Sequence, residues 1–365
     1  MTDHKAVDYR FKILYAIAMI TVVCGHIPGG VISIISDWFP SFGINLAAFA
    51  FGAGYFYKSS AEDTVIKYVL KKMRTLILPL YVYNIVYGLI VQVLRYKDFH
   101  IGGDFTLYNV FVAPITDGHQ FIYNLGGWFV VPLFMVQVFN IVLRKALKLF
   151  HEHISEWVFW GISVILGILG NQLACMGCLE NGWLVLVRML YFIPFYSFGI
   201  LYRDKLETLD RRIPSFWYLS TVFALKLIVI CICGKMPMYT VSWCNDFTDG
   251  PIMPIVVGYL GIALWMRIAI ILEPVIGKSK WINLIADNTY SIMINQFLGF
   301  MIVKTIFGFI NKIGLGFADF DWSGYKNDVF WYYAPFHLSY TLIIYVVAGL
   351  AFPILFQKII KKIKK

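Results

Sequence analysis

Charge is the first thing this sequence lacks. Only 14% of its 365 residues are Asp, Glu, Lys or Arg, while 59% are hydrophobic; a soluble globular domain carries roughly 25% charged residues. With a mean hydropathy of +0.71, the chain falls outside the ordinary soluble class. It also lacks the signatures of several common chemistries. There is no Gly-rich loop ending in Gly-Lys-Ser/Thr, no His-Glu-x-x-His and no Gly-x-Ser-x-Gly, which sets aside ATP-driven pumps and the common hydrolases. Cysteines number six, and Cys175-x-x-Cys178 has no second half at zinc-site spacing, so no metal is expected. All six fall toward one side of the layout derived below and are disulfide candidates in an oxidising compartment. No internal repeat, low-complexity tract or interdomain linker is evident. The chain reads as one integral-membrane domain, 1–365, with no appended soluble domain.

What is present is apolar sequence, in blocks close to the ~20 residues that cross a bilayer as a helix. Ten blocks stand out, at 13–35, 41–57, 75–94, 127–143, 157–174, 183–202, 215–233, 252–272, 284–308 and 331–356. The expected fold is all-α and polytopic, with about ten transmembrane helices embedded in a lipid bilayer. The first block follows Lys5, Arg10 and Lys12, but it is longer than a signal-peptide core and lacks a small-residue cleavage pattern, so it reads as an anchor that stays. Ten spans put both termini on one side. On that side the sequence places Lys5, Arg10, Lys12; Lys58, Lys67, Lys71, Lys72, Arg74; Arg144, Lys145, Lys148; Arg203, Lys205, Arg211, Arg212; Lys278, Lys280; and Lys358, Lys361, Lys362, Lys364, Lys365. The opposite loops hold only Arg95, Lys97, Lys235, Lys312 and Lys326. Positive charge is retained on the cytoplasmic side, so both termini are expected in the cytoplasm. The net charge of +10 then reflects topology and calls for no nucleic-acid partner.

Four cations remain inside blocks. Arg267 lies near an inner helix end and Arg188 about one turn from an outer end, where snorkelling suffices. Lys226 and Lys304 are deeper, and each needs a polar partner or a wet cavity. The longest outer loops, 95–126, 234–251 and 309–330, are rich in aromatics, Gly and Asp, including Asp98, Asp104, Asp117, Asp246, Asp249, Asp319, Asp321 and Asp328. Rings stack on sugar C–H faces and carboxylates accept from hydroxyls, which suits a carbohydrate acceptor. Trp and Tyr also collect at membrane interfaces in their own right. His151-Glu152-His153 reads as a solvated turn.

His26 is the informative residue. Between Ile13 and Ile35 the other titratable groups are the Tyr15 phenol and the Cys24 thiol. An imidazole exchanges protons near neutral pH, and an ionisable group within a span marks a functional site by default. At ~1.5 Å per residue, His26 is expected ~20 Å above the inner end of its helix. Lys12, Tyr15, Met19, Val22 and His26 follow at spacings of three and four and form one stripe, reading either as the wall of a path or as a packed helix face around a hydrogen-bonded histidine. In the next cytoplasmic loop, Lys71-x-x-Arg74 before Pro79 puts two cations on one face at the membrane edge, where they can hold phosphates.

The run Leu14 to His26, Phe51-Gly-Ala-Gly-Tyr55, Lys71-Lys-Met-Arg74 with Pro79, Gly127-Trp128-Phe129, Tyr196-Ser-Phe-Gly199 and Asn288-Thr-Tyr-Ser291 together resemble the integral-membrane acyltransferase 3 family, in order and over most of the chain. The resemblance implies O-acylation, usually O-acetylation, of surface carbohydrate, with acetyl-CoA as donor and residence in a bacterial inner or plasma membrane. It carries the essential histidine onto His26 and the donor-binding loop onto Lys71 and Arg74. Two positions depart from the pattern. Tyr15 stands where members carry Arg or Lys, with Lys12 one turn earlier as a substitute donor ligand. Ile294-Asn295-Gln296 stands where many members have a histidine. The expected mechanism has His26 as general base, with Arg188, Asn45 and Asn295 as candidates to steady the oxyanion and Trp128 at the outer mouth. The competing class is a transporter or flippase for a polysaccharide precursor; the paired, Gly/Pro-broken halves common in carriers are not evident. A sensory or structural membrane protein is a third class.

Overall fold

Asp8 starts the first helix. Its carboxylate accepts from the Arg10 N–H at 3.1 Å, a side-chain cap on a helix end that has unsatisfied donors. Helix α1 runs Tyr9–Gly25 and closes on His26 as its C-cap. It thus begins four residues before the expected 13 and stops ten before 35. The stop has a local cause: Ile27 precedes Pro28, which disfavours helical backbone in the residue before it, and Gly29 and Gly30 follow. The structure, a computed structural model, describes residues 7–27, 42–149 and 154–363, without the side chains at 42–45, 63 and 363. The rest of the expected first span, the His151-Glu152-His153 turn and the Asn45 side chain lie outside that description.

After α1 come α2 (Phe42–Tyr55) and eight helices long and apolar enough to cross a membrane: α3 (Val65–Arg95), α4 (Leu125–Lys148), α5 (Glu156–Cys175), α6 (Trp183–Arg212), α7 (Ser215–Cys233), α8 (Met253–Ile276), α9 (Thr289–Lys312) and α10 (Ser339–Lys362). No strand occurs among the described residues. The ten expected blocks correspond to these eight and to α1 and α2, of which 17 and 14 residues are described, fewer than the ~20 of a typical crossing. α3 reaches ten residues further into the basic loop than expected and accommodates the extension with a π-turn at Met73–Ile77, a form that recurs at functional sites.

α6 is the most buried of the eight and α7 the least. α6 packs against α2, α4 and α5, while α1 lies against α2, α8 and α9. The α2–α6 crossing explains two of the quoted motifs. A Cβ on Gly54 would lie 1.9 Å from the Tyr196 carbonyl oxygen, and one on Gly199 would lie 2.0 Å from the Phe51 carbonyl oxygen. Small residues let backbones touch in this way, which drives helix association in lipid. Outward-facing side chains are apolar: Leu78, Val82 and Val93 on α3; Phe216, Trp217 and Ile232 on α7; Val347 and Leu355 on α10. A bilayer supplies the cover such a surface needs. The protein is a multi-pass membrane protein.

Polar contacts sort the connections into two ends. At one, Arg10 pairs with Glu207 at 2.9 Å, Lys12 with Asp287, Lys148 with Glu62 at 2.5 Å, Arg144 with Glu156 at 2.5 Å, and Arg267 with Asp210 at 2.6 Å. At the other, the His100 N–H donates to the Lys326 carbonyl at 2.9 Å, Arg95 pairs with Asp104, and Arg188 joins the 117 and 242 loops. These are the basic and the aromatic–acidic loop sets separated by the charge count.

Candidate active site

His26 is held where α1 meets α9. Its ring lies edge-on to Phe297, centroids 5.0 Å apart, and faces the Val22 carbonyl and the Gln296 side chain. Nδ1 of His26 and Oε1 of Gln296 are both buried and have no well-formed hydrogen bond among the described residues. Buried polar atoms are ordinarily satisfied, so the pair is a place where a reacting group or water completes the bonding. Asn295 is otherwise engaged: it accepts from the Tyr87 hydroxyl at 2.8 Å and donates to the Ser291 carbonyl at 2.9 Å. The side chain that meets His26 is therefore Gln296, one position beyond the candidate taken from the sequence. A helix advances 100° per residue, and the sequence alone does not fix which of two adjacent amides faces inward.

The stripe along α1 does not form an open path. Met19 is 1% exposed, packed into the core between Tyr15 and His26. Tyr15 itself stands on Gly52 and stacks on Phe49 with centroids 5.4 Å apart. The polar continuity lies instead between α3 and α9, whose backbones are bridged by long side chains more than packed together. The Tyr290 hydroxyl donates to the Leu76 carbonyl at 3.0 Å, two residues beyond Arg74. Tyr83 lies 6.5 Å from Tyr290 between ring centroids, and Tyr87 reaches Asn295. This tyrosine seam spans Leu76 to Tyr87, roughly 16 Å of helix rise, and ends at Asn295, the residue before Gln296 on α9.

Two clefts open at the basic end. One, of about 770 Å³, is lined by Lys67, Lys71, Arg74 and Lys145 with Thr64, Val65, Ile66, Leu70 and Thr75. The other, of about 660 Å³, is lined by Lys12, Tyr15, Tyr55, Lys58 and Arg203 among others. The structure brings Lys71 and Arg74 together and puts Lys12 elsewhere. Charge separates the two clefts. In the second, Lys12 is neutralised by Asp287 and Arg203 by Asp204. In the first, none of the four cations has an acidic partner among the described residues. Four uncompensated cations in one cleft fit a polyanion such as the phosphates of a nucleotide-bearing donor.

At the opposite end Arg188 does not snorkel. It is 1% exposed, donates to the Asp117 carbonyl at 2.9 Å and to the Ser242 carbonyl, and lies over the Trp128 ring at 4.7 Å. Trp128 follows a turn that presses Gly126 onto the Met293 carbonyl of α9, one turn from Gln296, so the Trp128–Arg188 pair and His26 share the same stretch of α9. His119, unremarked in the sequence, stacks on Trp243 with centroids 3.9 Å apart. Lys304 is buried, donates to the Val329 carbonyl at 2.6 Å and lies over the Tyr332 ring at 4.3 Å; Lys226 is also buried. All six cysteines are free thiols, and no metal-binding group of three occurs among the described residues.

A family model described as an acyltransferase domain, that of the acyltransferase 3 family, matches residues 8–358, essentially the whole chain. No curated protein and no solved structure matches it significantly.

Proposed function

The chain belongs to the acyltransferase 3 family and is an acyltransferase, and from that premise we propose that it moves an acetyl group from cytosolic acetyl-CoA to a hydroxyl of a carbohydrate on the outer side of the cell membrane. The observation that carries this reading is the pairing of His26 with the Gln296 side chain, whose Oε1 has no hydrogen-bond partner among the described residues, one residue along α9 from the Asn295 end of a polar seam whose other end lies beside Arg74. The Lys/Arg excess supports the basic end as the cytosolic end. The donor's phosphates lie against Lys71, Arg74, Lys67 and Lys145, and its pantetheine arm follows the tyrosine hydroxyls between α3 and α9. The acceptor enters past Trp128 and Arg188.

A ring nitrogen of His26 takes the proton from the acceptor hydroxyl as its oxygen attacks the thioester carbonyl. The C–S bond then breaks, and the CoA thiolate leaves with the proton returned by the imidazolium. Positioned proton transfer of this kind contributes ~10²–10⁴-fold in rate. The Gln296 amide orients the ring, and Asn295 holds the adjacent turn through Tyr87.

The test is transfer of radiolabelled acetyl from acetyl-CoA into carbohydrate by membranes containing the chain. His26→Ala is expected to stay in the membrane, elute as the folded protein and transfer nothing above background. Transfer near the wild-type level by that variant refutes the base role, and no transfer by the wild type to any carbohydrate refutes the acceptor class.

A further inference from the structure

The least satisfied polar cluster outside the proposed acyl-transfer centre is at the aromatic–acidic end. Arg188 is 1% exposed and His119 6% exposed. Nε of Arg188 and both ring nitrogens of His119 are buried without hydrogen-bond partners among the described residues. No carboxylate among the described residues pairs with Arg188. Asp117, whose carbonyl Arg188 reaches, turns its Oδ1 to the His119 backbone N–H at 2.9 Å, and the guanidinium is left with two carbonyls and the Trp128 face. A buried cation without an anion in contact is costly, and carbonyl dipoles, an indole and the nearby Asp117 charge offset only part of that cost. Three elements converge here: Gly118 is pressed on Trp128, where a Cβ would lie 2.7 Å from the Trp128 Cα, Arg188 ties both outer loops together, and Trp243 covers His119. Trp243 is 46% exposed, so the imidazole is one indole away from solvent.

Burial and the neighbouring Arg188 cation push His119 down to about 3. The ring is then neutral at physiological pH, with one nitrogen to donate and one to accept. Guanidinium plus neutral imidazole beneath a tryptophan offers an anion contact, a hydroxyl contact and a stacking face. We infer that Arg188, His119 and Trp243 form a subsite for an oxyanion-bearing sugar, a carboxylate or phosphate on the acceptor, and so select acidic over neutral carbohydrate. The inference deepens the acyltransferase reading and rests on its acceptor being carbohydrate. His119 and Trp243 touch the acceptor away from the reacting hydroxyl and are specificity residues.

The experiment is equilibrium binding of radiolabelled methyl glucuronide, glucose 1-phosphate and methyl glucoside to the full chain in nanodiscs, with acetyl transfer measured on the same preparation. At least one acidic sugar is expected to bind about tenfold more tightly than the neutral one, as one charge-assisted hydrogen bond allows. The glucuronide and phosphate arms tell which oxyanion fits. Arg188→Gln, which removes the charge that makes the anion contact, should abolish the preference, while Trp243→Ala, which removes the exposed stacking face, should weaken acidic and neutral sugars alike. Equal binding of acidic and neutral sugars, a preference untouched by Arg188→Gln, or binding untouched by Trp243→Ala overturns the subsite. Acid-selective binding that depends on both residues, without transfer from acetyl-CoA, sustains the subsite and refutes the catalytic reading instead.

Discussion

Replacing Lys71 and Arg74 by alanine separates donor binding from chemistry. Both side chains are exposed and line the same cleft. A charge-assisted hydrogen bond contributes ~1.5–3 kcal/mol, but exposed ion contacts are screened to about 1 kcal/mol or less. About 1 kcal/mol per residue is therefore the reasonable figure, about 2 kcal/mol for the pair, which is roughly a 30-fold rise in KM for acetyl-CoA. Phosphates do not change charge during acyl transfer, so their contacts are equal in ground and transition states and kcat should move less than about twofold. The assay is steady-state transfer with two donors, acetyl-CoA and acetyl-pantetheine. The double variant should lose its disadvantage with acetyl-pantetheine, which has no phosphates to lose. Raising salt should increase KM in the wild type and leave the variant nearly flat, since screening acts over ~10 Å at about 0.1 M. An unchanged KM for acetyl-CoA, or an equal loss with both donors, would refute the phosphate site.

Three further outcomes follow from geometry alone. Gln296→Leu removes the amide that meets His26 without touching the donor cleft; kcat should fall roughly threefold to tenfold, the worth of the one hydrogen bond that its free Oε1 offers at the reacting junction, with KM for acetyl-CoA unchanged. Gly199→Ala should fail to give a monodisperse peak in size-exclusion chromatography, because its Cβ would fall 2.0 Å from the Phe51 carbonyl, whereas Gly161→Ala, with nothing within 4 Å, should keep or raise stability by ~0.5–1 kcal/mol. His119 sets a pH dependence: its folded pKa of about 3 lies below the unfolded value near ~6.5, so the unfolded chain binds the extra proton between them. Stability from this group is complete above about pH 6.5 and falls as pH drops toward 3, by roughly 3 kcal/mol at about pH 4.5. Thermal inactivation should steepen between about pH 7 and about pH 4.5 in the wild type and less so in His119→Gln; equal loss in both would contradict a neutral, buried ring.

Much of the scaffold is legible in the sequence because bilayer physics is blunt. Length, hydropathy and the Lys/Arg asymmetry locate the apolar helices and group their connections into the two ends that the polar contacts join. The misreadings come where one residue of phase matters. The apolar stretch from Val31 to Ile35, broken only by Ser33, draws the first helix past Pro28, although Pro-Gly-Gly ends helical preference before it. Asn295 and Gln296 are equal candidates by chemistry, since both can hydrogen-bond, and only packing against His26 distinguishes them. Charge alone groups Lys12 with Lys71 and Arg74; its ion pair with Asp287, 275 residues away in sequence, is not a local signal. His119 carries no signal, being one histidine in a loop, and only the fold stacks it on Trp243 beside Arg188.

The two departures from the family pattern then acquire a common physical sense. A Lys or Arg at position 15 would stand against Gly52, where Tyr15 now sits with its hydroxyl pressed on the space a side chain would take, and a charge there would need a partner in an apolar interior. A histidine near position 295 would face Tyr87 and Ser291, which an amide satisfies with one acceptor and one donor and with no proton to gain or lose. In both places a neutral group replaces a titratable one, so the polar seam toward His26 is carried by hydroxyls and amides. Neutral dipoles cost far less to bury than ions. Along this seam, full charges stand at the two ends, Lys71 and Arg74 at one and Arg188 at the other. In the proposed mechanism no second histidine stands at this junction to share proton transfer with His26, and a pH–rate profile of kcat should accordingly show a single ascending limb from one base. A bell with a second, descending limb in His119→Gln and wild type alike would mean that another titrating group shares the chemistry, and that the division between charged ends and a neutral seam is drawn in the wrong place.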